Sequence, residues 1–330
     1  MALEFSSTRL VHRWAAPGRD DPESRRTAVV RLGEACGVGV APDGAWIAST
    51  GSEDGAVHIW DPVTGALRAT LEGHSRRTYD AVIAPDGRSL ATGSYDQTVR
   101  IWDVGSWRTA AVLHGPTREN VAFWSLAFAP DGSWLATADT SGVIGVWDTA
   151  TWTFLTPLTG HYDGVLRVAV APDGTWLAAG DNEGKLWIWD TQTWQPRASF
   201  TAHEQYCWAV AVAPDGAWLA TGGGGDHLVR IWDTAEWRPT ATLSGHRAGV
   251  DTVTIAATGQ WLASGGADGV RLWEPRTGQE IVATRTAGRV HGLAGLPDAS
   301  ALVVGTKRGV HVLDLVTGNP TATEPPAAGG

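Results

Sequence analysis

The stretch Ala84–Asp103 reads APDGRSLATGSYDQTVRIWD, and variants of it recur along the whole chain. Its opening turn motif has six counterparts: APDG at Ala41–Gly44, Ala129–Gly132, Ala171–Gly174 and Ala213–Gly216, AATG at Ala256–Gly259 and LPDA at Leu296–Ala299. Successive copies start 43, 45, 42, 42, 43 and 40 residues apart. A sustained period near forty residues indicates a repeat architecture, here with seven copies.

Each copy contains the signals of four short strands. Ala-Pro-Asp-Gly fits a type I turn, because Pro85 fixes φ at the second position and Gly87 closes the fourth. Short apolar-alternating runs flank this turn, and Tyr95-Asp96-Gln97 makes the next one. Thr98–Trp102 is a β-branched and aromatic strand, and LRATL at Leu67–Leu71 supplies the fourth. Four strands per period are typical of one propeller blade, so the sequence predicts an all-β, seven-bladed β-propeller with four antiparallel strands per blade.

Two dipeptides recur at fixed places in these copies. Trp-Asp stands at Trp60-Asp61, Trp102-Asp103, Trp147-Asp148, Trp189-Asp190 and Trp232-Asp233, and weakens to Trp273-Glu274 and Leu313-Asp314; Gly-His stands at Gly73-His74, Gly160-His161 and Gly245-His246. With these motifs, roughly residues 26 to 318 resemble the WD40-repeat β-propeller family. The resemblance implies a non-catalytic platform that recognises a protein or peptide. In bacteria such propellers are often the sensing module of a larger signalling protein, and the preference for Arg over Lys is compatible with a bacterial source.

The predicted domain organisation has three parts: an irregular N-terminal extension (1–25), the propeller (26–318) and a Pro/Ala/Gly-rich tail (319–330). The resemblance implies that a strand from one terminus completes the last blade. Thr27–Leu32 is the predicted closing strand, and Arg9–Trp14 could form a separate strand within the N-terminal extension. The rival is the tail segment Pro320–Thr323, which Glu324-Pro325-Pro326 ends early because proline cannot donate to a strand ladder.

Composition narrows the classes of partner and compartment. A net charge of −10 makes phosphate backbones and anionic membranes poor partners, so no nucleic acid and no membrane are expected. Two cysteines give no disulfide framework, and the N-terminus has no apolar run of signal-peptide length. We therefore expect a cytoplasmic protein that is a monomer as an isolated domain. No motif for a metal, a phosphate-binding loop or a catalytic nucleophile is present, so no cofactor is expected.

The resemblance also implies a buried chain of hydrogen bonds within a blade, made of a His, a Ser or Thr, an Asp and the Trp. The matching sets are His74, Ser94 (or Thr92), Asp96 and Trp102; His203, Thr221, Asp226 and Trp232; and His246, Ser264, Asp268 and Trp273. They resemble a catalytic triad in composition, but a catalytic site would occur once, whereas this set repeats. Copy four has Glu183 at the aspartate position, and copy three has Ser141 there, so Asp139→Ala is expected to matter little.

One position that recurs in every copy, at the start of the innermost strand, predicts the binding surface. The resemblance places partner binding on the narrow face, partly through residues at the start of each innermost strand. The predicted surface is rich in Arg, Tyr and Trp, the side chains that dominate binding hot spots, and comprises Tyr79, Tyr95, Trp124, Leu166, Tyr206, Trp208, Asp251, His291, Arg77 and Arg289. Alternatively, Trp124 and Trp208 only plug the central channel. A different function, a small-ligand binder or enzyme, would use a channel site near Asp251, His291 and Glu53.

Four middle copies carry a tryptophan where other copies have a turn glycine: Trp107, Trp152, Trp194 and Trp237, each four residues after the Trp-Asp aspartate. Two interpretations are open. These side chains pack on the neighbouring outer strand, or they form a second contact surface around the rim. Scattered surface aromatics need no special explanation, which favours packing.

Overall fold

A computed structural model describes residues 8–15, 35–51, 53–115 and 121–316. These residues form strands, turns and connecting segments without a helix, and so without a helix that could cross a membrane. The strands make seven antiparallel sheets of four strands each. The predicted all-β, seven-bladed propeller is therefore confirmed.

Each blade uses four strands that are neighbours in its sheet, from the innermost to the outermost. The strands are, in blade 1, β2 (Val38–Val40), β3 (Ile47–Ser49), β4 (Val57–Trp60) and β5 (Leu67–Leu71); in blade 2, β6 (Thr78–Ile83), β7 (Ser89–Ser94), β8 (Thr98–Asp103) and β9 (Arg108–His114); in blade 3, β10 (Phe123–Phe128), β11 (Trp134–Asp139), β12 (Ile144–Asp148) and β13 (Phe154–Leu158); in blade 4, β14 (Val165–Val170), β15 (Trp176–Asp181), β16 (Lys185–Asp190) and β17 (Pro196–Thr201); in blade 5, β18 (Cys207–Val212), β19 (Trp218–Gly223), β20 (Val229–Asp233) and β21 (Pro239–Leu243); in blade 6, β22 (Val250–Ile255), β23 (Leu262–Gly266), β24 (Gly269–Trp273) and β25 (Glu280–Thr284); and in blade 7, β26 (Val290–Gly295), β27 (Ala301–Thr306), β28 (Gly309–Val316) and β1 (Arg9–Ala15).

The core lies between blades. The inner strand of each blade contacts that of the next, and β26 contacts β2 to complete the ring. Alternate residues of the second and third strands face the neighbouring sheet, so Ala136 and Val146 of blade 3 pack with Val168 and Leu177 of blade 4. Because both faces of each sheet are covered in this way, the middle strands are apolar over most of their length and almost fully buried.

The APDG turns join the first strand of each blade to the second. In blade 1, Gly44 has a φ of +71° and donates its N–H to the Ala41 carbonyl at 2.8 Å, which is a conformation that glycine adopts without strain. The Asp43 carboxylate accepts from the Ala45 amide at 2.9 Å. A side chain at Gly44 would lie 3.5 Å from Pro297 of the preceding blade, so consecutive turns touch around this end of the ring. We call this end the turn face.

The closing strand differs from the predicted one. The outer position of blade 7 is occupied by β1, which pairs antiparallel with β28 from Arg9↔Val316 to Ala15↔His311. The predicted segment Thr27–Leu32 lies outside the described residues, as does the rival tail segment. The extension 1–25 therefore contributes a strand to the propeller, and the domain begins earlier than residue 26.

Two contacts explain why Arg9–Ala15 suits this position. Leu10 packs against the apolar cluster between blades 6 and 7, and the Arg13 guanidinium donates to Asp314 at 2.9 Å. Asp314 is the aspartate of the seventh, degenerate Trp-Asp pair. The same aspartate in blade 1, Asp61, pairs with Arg68 of the outer strand β5, so Arg13 makes the ion pair that an ordinary outer strand makes.

The outer tryptophans pack between blades. Trp107 meets Trp46 of the preceding blade edge to face, with ring centroids 5.1 Å apart, and Trp194 meets Trp134 in the same way at 5.1 Å. Trp194 adopts a positive φ of 56°, which is uncommon for a bulky residue, so packing has to offset local strain. The partner is the tryptophan beside the second strand of the preceding blade. This geometry favours the packing interpretation over a second contact surface.

We predict that Trp134 and Trp194 are energetically coupled. Replacing each by alanine should destabilise the protein, and the double variant should lose less than the sum of the two, by about 0.5–1.5 kcal/mol, because edge-to-face pairs add that much beyond burial. Chemical denaturation of the parent, the two single variants and the double variant measures this coupling energy. The pair Trp134 and Trp237, which have different partners, is the matched control and should be additive. Additivity for Trp134 and Trp194 as well would show that the contact has no energetic weight.

Candidate functional site

Seven residues, one from the start of each inner strand, line a single cavity of about 440 Å³ at the end of the ring opposite the turn face: Cys36, Tyr79, Trp124, Leu166, Trp208, Asp251 and His291. We call this cavity the central pocket and the end that carries it the pocket face. Its wall is completed by Arg77, Arg167, Asn182, Tyr206 and Arg289. Nine of the ten residues predicted for the binding surface thus meet in one place.

The tenth, Tyr95, lies beside the pocket. Its ring centroid is 6.5 Å from that of Tyr79, and its side chain is exposed. Three wall residues lie outside the predicted binding surface: Cys36, which occupies the same position in copy one, Arg167 and Asn182. Arg167 follows the predicted Leu166, and Asn182 lies in the turn after β15, so neither occupies the register used for the prediction.

A local irregularity of the inner strands directs the pocket residues. In blade 2 the pairing between β6 and β7 shifts between Thr78 and Asp80, so that Tyr79 is the extra residue of a β-bulge. The shift recurs at the equivalent place in blades 3 to 7, around Trp124, Leu166, Trp208, Asp251 and His291. Bulges re-aim side chains and are common beside functional sites. The repeated bulge accounts for six side chains that line the pocket instead of joining the ladder of the sheet.

Trp208 forms a prearranged part of the apolar wall. Its ring stacks on Tyr206 at 5.5 Å and 21°, and the Arg289 guanidinium lies 5.3 Å from its centroid. Two glycines leave room for the ring, since a Cβ at Gly224 would come within 2.9 Å of it and one at Gly249 within 2.5 Å. Gly224 lies in a run of four glycines, Gly222–Gly225, and the absence of a side chain there leaves space for the Trp208 ring.

Trp124 lies on the opposite flank of Leu166 and follows the same rule. A Cβ at Gly164 of the next blade would be 3.2 Å from its ring, so this glycine also leaves space for an indole. Both tryptophans lean on the connection into the next blade, and both remain partly exposed. The cavity persists between them, which disagrees with the interpretation that they only plug the channel.

The other side of the pocket is polar. Both oxygens of Asp251 accept from Arg289, at 2.5 and 2.7 Å, and this interaction raises the pKa of the Arg289 guanidinium. Arg77 lies 5.6 Å from the Tyr79 ring centroid and donates to the Cys36 sulfur at 2.8 Å. Burial raises the pKa of the Tyr79 hydroxyl, so this phenol stays protonated at neutral pH.

The three residues expected for a channel site, Asp251, His291 and Glu53, do not all line this pocket. Asp251 is bound at both oxygens by Arg289 and is poorly placed to remove a proton from a substrate. Glu53, which completed the alternative channel site, is not part of the pocket wall. Within the described ranges, no group of three or more His, Cys, Asp or Glu side chains could hold a metal ion. Neither Cys36 nor Cys207 forms a disulfide.

The buried hydrogen-bond chains occur in blades 2, 5 and 6. In blade 5, Trp232 Nε1–H donates to Thr221 Oγ1 at 2.9 Å, and this hydroxyl meets His203 Nε2 at 2.8 Å. His203 Nδ1 lies 3.0 Å from Asp226. His246 joins Ser264 and Asp268 at 2.7 Å each in blade 6, where Trp273 also donates to Ser264. Burial lowers the pKa of His203 and His246, and the partner aspartates offset only part of this effect.

In blade 2 the hydroxyl of the chain is Thr92 and not Ser94. His74 Nε2 is 2.8 Å from Thr92 Oγ1, which also accepts from Trp102 Nε1 at 2.8 Å. Ser94, two residues nearer the strand end, instead donates to the carbonyls of Arg76 and Arg77 and accepts from the Asp96 amide. The indole N–H of Trp102 binds the hydroxyl of Thr92 and not that of Ser94, so Thr92 is the hydroxyl of this chain.

Blades 3 and 4 hold their carboxylate two residues earlier, at the end of the second strand. Asp139 is 1% exposed and accepts from the amides of Ser141 and Val143, so its burial and hydrogen bonds favour a loss of stability in Asp139→Ala, the opposite of the expectation from the sequence. In blade 4, Asp181 lies 3.4 Å from His161 Nδ1 and accepts from Trp187 Nε1 at 3.0 Å. Glu183 therefore does not need to replace the missing aspartate.

Blade 4 has one defect in its buried chain. Ala179 stands where blades 2 and 5 have Thr92 and Thr221, and the atoms that would meet its hydroxyl, His161 Nε2 and Trp189 Nε1, are buried without a hydrogen-bond partner among the described residues. We predict that Ala179→Ser raises the free energy of unfolding by about 1–2 kcal/mol, because an unsatisfied buried polar group costs about that much. Denaturation with urea measures the change.

The control for this variant is Ala178→Ser, one residue earlier on the same strand. Its side chain faces the neighbouring sheet, in an apolar cluster with Trp176 and Ile188, where a hydroxyl has nothing to bind. Ala178→Ser should therefore destabilise the protein. If both variants lower stability, His161 Nε2 and Trp189 Nε1 are not positioned to bind a hydroxyl at position 179.

Comparison with protein-family models matches six segments of the chain to the WD40 repeat, described as "WD domain, G-beta repeat": residues 32–61, 65–103, 107–148, 152–190, 194–233 and 237–274. The last five segments begin at or just before the outer strand of one blade and continue through the three inner strands of the next blade. One sequence repeat therefore spans two neighbouring blades and links them. These matches cover more than half of the chain, which therefore belongs to the WD40-repeat family, whose propellers are typically protein-interaction scaffolds. No curated protein matches the chain significantly.

Proposed function

We propose that this propeller is a non-catalytic recognition module that binds a peptide segment of a partner protein in the central pocket. The observation that carries the proposal is the pocket itself, in which Tyr79, Trp124 and Trp208 face one cavity with Arg77 and Arg289. Tyr, Trp and Arg are the residues that most often dominate binding energy when a partner buries them. The stacking of Tyr206 on Trp208 fixes an aromatic side chain before binding, which reduces the entropy lost on association.

The wider role that we propose for the protein is based on its family and its composition. We propose a cytoplasmic protein, monomeric as an isolated domain, that senses a partner within a bacterial signalling system. Cys36 and Cys207 are both buried and form no disulfide, which fits a reducing compartment. A net charge of −10 disfavours nucleic acids and anionic membranes as partners.

The test is a selection from a random peptide library displayed on phage. The immobilised wild-type chain selects binders, and the Trp124→Ala/Trp208→Ala double variant removes those that bind elsewhere. Enrichment of peptides that require the two tryptophans supports the proposal. Absence of any such peptide after repeated rounds would count against peptide recognition at this pocket.

A small-ligand site is the second candidate, because a cavity of about 440 Å³ lies within the usual range for small-molecule pockets. Thermal-shift screening of a metabolite collection tests it. A compound that raises the melting temperature of the wild type but not of the double tryptophan variant would favour this function, particularly if no peptide is selected.

A further inference from the structure

One side of the central pocket is made of uncharged side chains. Trp124 and Leu166 stand at the start of the inner strands of blades 3 and 4, and Asn182 follows β15. A Cβ at Gly164 would lie 3.2 Å from the Trp124 ring and 3.3 Å from Asn182 Nδ2, so the indole and the side-chain amide flank the same glycine. We call Trp124, Leu166 and Asn182 the neutral wall.

The backbone of Asn182 holds this residue between the two tryptophans of the pocket. Its N–H donates to the Gly164 carbonyl at 3.2 Å, and its carbonyl accepts from the Tyr206 amide at 3.3 Å. The first bond reaches the segment beside Trp124, and the second reaches the residue that stacks on Trp208. Both backbone groups are thus used, and Asn182 presents its side chain to the pocket.

The side-chain amide of Asn182 makes no bond within its own blade. In blade 3 the equivalent side chain, Thr140, accepts through its hydroxyl from the Ala122 amide at 3.1 Å. The equivalent amide of blade 4 belongs to Gly164 and donates instead to the Asp163 carboxylate at 2.7 Å. Among the described residues, the Asn182 side chain therefore has no hydrogen-bond partner, and its oxygen and NH2 group are available to a ligand.

The Trp124 ring is available in the same sense. Within the described ranges it makes no hydrogen bond, aromatic stacking or cation contact, whereas Trp208 has Tyr206 and Arg289 beside its ring. Leu166 comes from the blade between those of the two tryptophans and adds a further apolar surface. The neutral wall thus offers apolar area beside one hydrogen-bonding amide.

The charged side chains around the pocket have partners within the chain, so recognition at the neutral wall does not depend on a net charge of this face. The pairs are Arg167 with Asp80 (3.6 Å), Lys185 with Glu183 (2.7 Å) and Arg289 with Asp251 (2.5 Å). Further interactions within the chain engage Glu53, Asp54, Arg77 and Lys307.

The chemical group that best complements Asn182 is a second amide. The Asn182 side chain has one acceptor oxygen and two N–H donors. Another amide offers both an N–H and a C=O, so it can satisfy both ends of the side chain through two hydrogen bonds. A carboxylate would bind only the NH2 group and an ammonium only the oxygen, and each would leave a polar atom of Asn182 unpaired at the interface.

We infer that Asn182 determines which peptides this pocket accepts: its side-chain amide pairs with one amide group of the bound peptide, and the neighbouring apolar side chain packs on Trp124 and Leu166. This inference rests on the proposed function and adds to it the chemical group that is recognised. That group is a backbone amide or the side-chain amide of an Asn or Gln in the peptide.

Asn182→Asp tests the inference on a fluorescently labelled peptide selected by the full wild-type chain. The change keeps the size of the side chain but removes its donors, so the affinity should fall roughly tenfold or more. The melting temperature should stay near that of the parent, because the side chain makes no hydrogen bond within the described chain.

Gln192→Glu is the matched control, because it makes the same amide-to-carboxylate change at an exposed residue of the same blade. It lies on the turn face, where the adjacent Thr191 donates to the carbonyl of Gly174 in the APDG turn. Gln192→Glu should therefore leave the affinity unchanged.

Changes in the peptide distinguish the two sources of the amide. N-methylation of one backbone amide should weaken binding if the backbone is recognised, and replacement of an Asn or Gln of the peptide by Leu should do so if a side chain is recognised. In either case the loss should be about tenfold smaller with Asn182→Ala than with the parent, because the variant already lacks the interaction. A purely structural role of Asn182 would leave the two losses equal.

The outcomes also separate this inference from peptide recognition itself. Parental affinity in Asn182→Asp, or equal losses with the parent and with Asn182→Ala, would overturn the role of Asn182 and leave the tryptophan-dependent pocket intact. Failure to select any peptide that requires Trp124 and Trp208 would remove both proposals.

Discussion

Trp208→Ala is expected to weaken binding of a selected peptide by at least about thirtyfold, which corresponds to roughly 2 kcal/mol, the usual loss for an aromatic hot spot. The alanine removes the ring that stacks between Tyr206 and Arg289 and leaves the Arg289–Asp251 pair without its aromatic support. Because Trp208 is partly exposed and lies outside the core between blades, the melting temperature should change little. Fluorescence anisotropy gives the affinity, and circular dichroism gives the fold and its stability.

Two controls locate the effect. Tyr162→Ala removes an aromatic side chain that is 90% exposed on the same face but is not part of the pocket wall, so it should leave affinity unchanged. Trp107→Ala should lower stability through its contact with Trp46 and also spare binding. If Trp208→Ala keeps the parental affinity, or if Tyr162→Ala weakens binding equally, the central pocket is not the recognition site.

The fold could be predicted because the information for it is repeated. Seven turn motifs near a forty-residue period set the number of blades, and each local signal agrees with the same architecture. The closing strand is different, because it depends on a single non-local pairing. Arg13 and Asp314 are 301 residues apart, and no periodic pattern identifies which N-terminal segment has the right contacts.

The pocket was predictable for a related reason. A residue at a fixed place in each copy must arrive at a fixed place in a ring, so the register alone brought Tyr79, Trp124 and Trp208 together. What the register could not give was direction. The bulge that aims these side chains depends on how two strands pair, and alternation in the sequence predicts only an unbroken strand. Arg167 was missed because it follows the bulge, where simple alternation gives the wrong face.

The buried hydrogen-bond chains show what matching a sequence motif cannot predict. Thr92 and Ser94 are two residues apart on one strand, so their spacing alone cannot decide which one accepts from Trp102. Asp139 and Asp181 lie outside the expected aspartate position, yet both satisfy the following turn from the strand end. In these blades what is constant is a buried carboxylate beneath the turn, and its position in the sequence varies by two residues.

Asp96→Ala is expected to lower the free energy of unfolding by roughly 2–4 kcal/mol at pH 7, since removing one member of a buried charged network leaves its partners unpaired. Asp96 lies 2.9 Å from His74 Nδ1 and accepts from the Ser75 amide at 3.0 Å and from the Thr98 hydroxyl at 2.6 Å. In the alanine variant the buried His74 Nδ1 loses its carboxylate partner and keeps only the Thr98 hydroxyl, 3.2 Å away, while the Ser75 amide and the Thr98 hydroxyl lose their acceptor. Asp86→Ala, in the exposed turn of the same blade, is the matched control, and it should cost less than about 1 kcal/mol because only the Arg88 amide loses a partner and water can replace it.

The pH dependence of stability tests whether the charge of the Asp96 carboxylate causes the expected loss of stability in Asp96→Ala. Burial opposes ionisation of Asp96, but the hydrogen bonds from His74 and Thr98 outweigh burial and hold its pKa well below the usual value. A carboxylate with a depressed pKa stabilises the fold above its unfolded pKa of about 3.9, and this contribution is lost as the pH falls below that value. The difference in stability between the parent and Asp96→Ala should therefore be largest near pH 7 and shrink steadily below about pH 4, as measured by urea denaturation across that range. A difference that stays constant down to pH 3 would mean that Asp96 acts through packing and not through its charge.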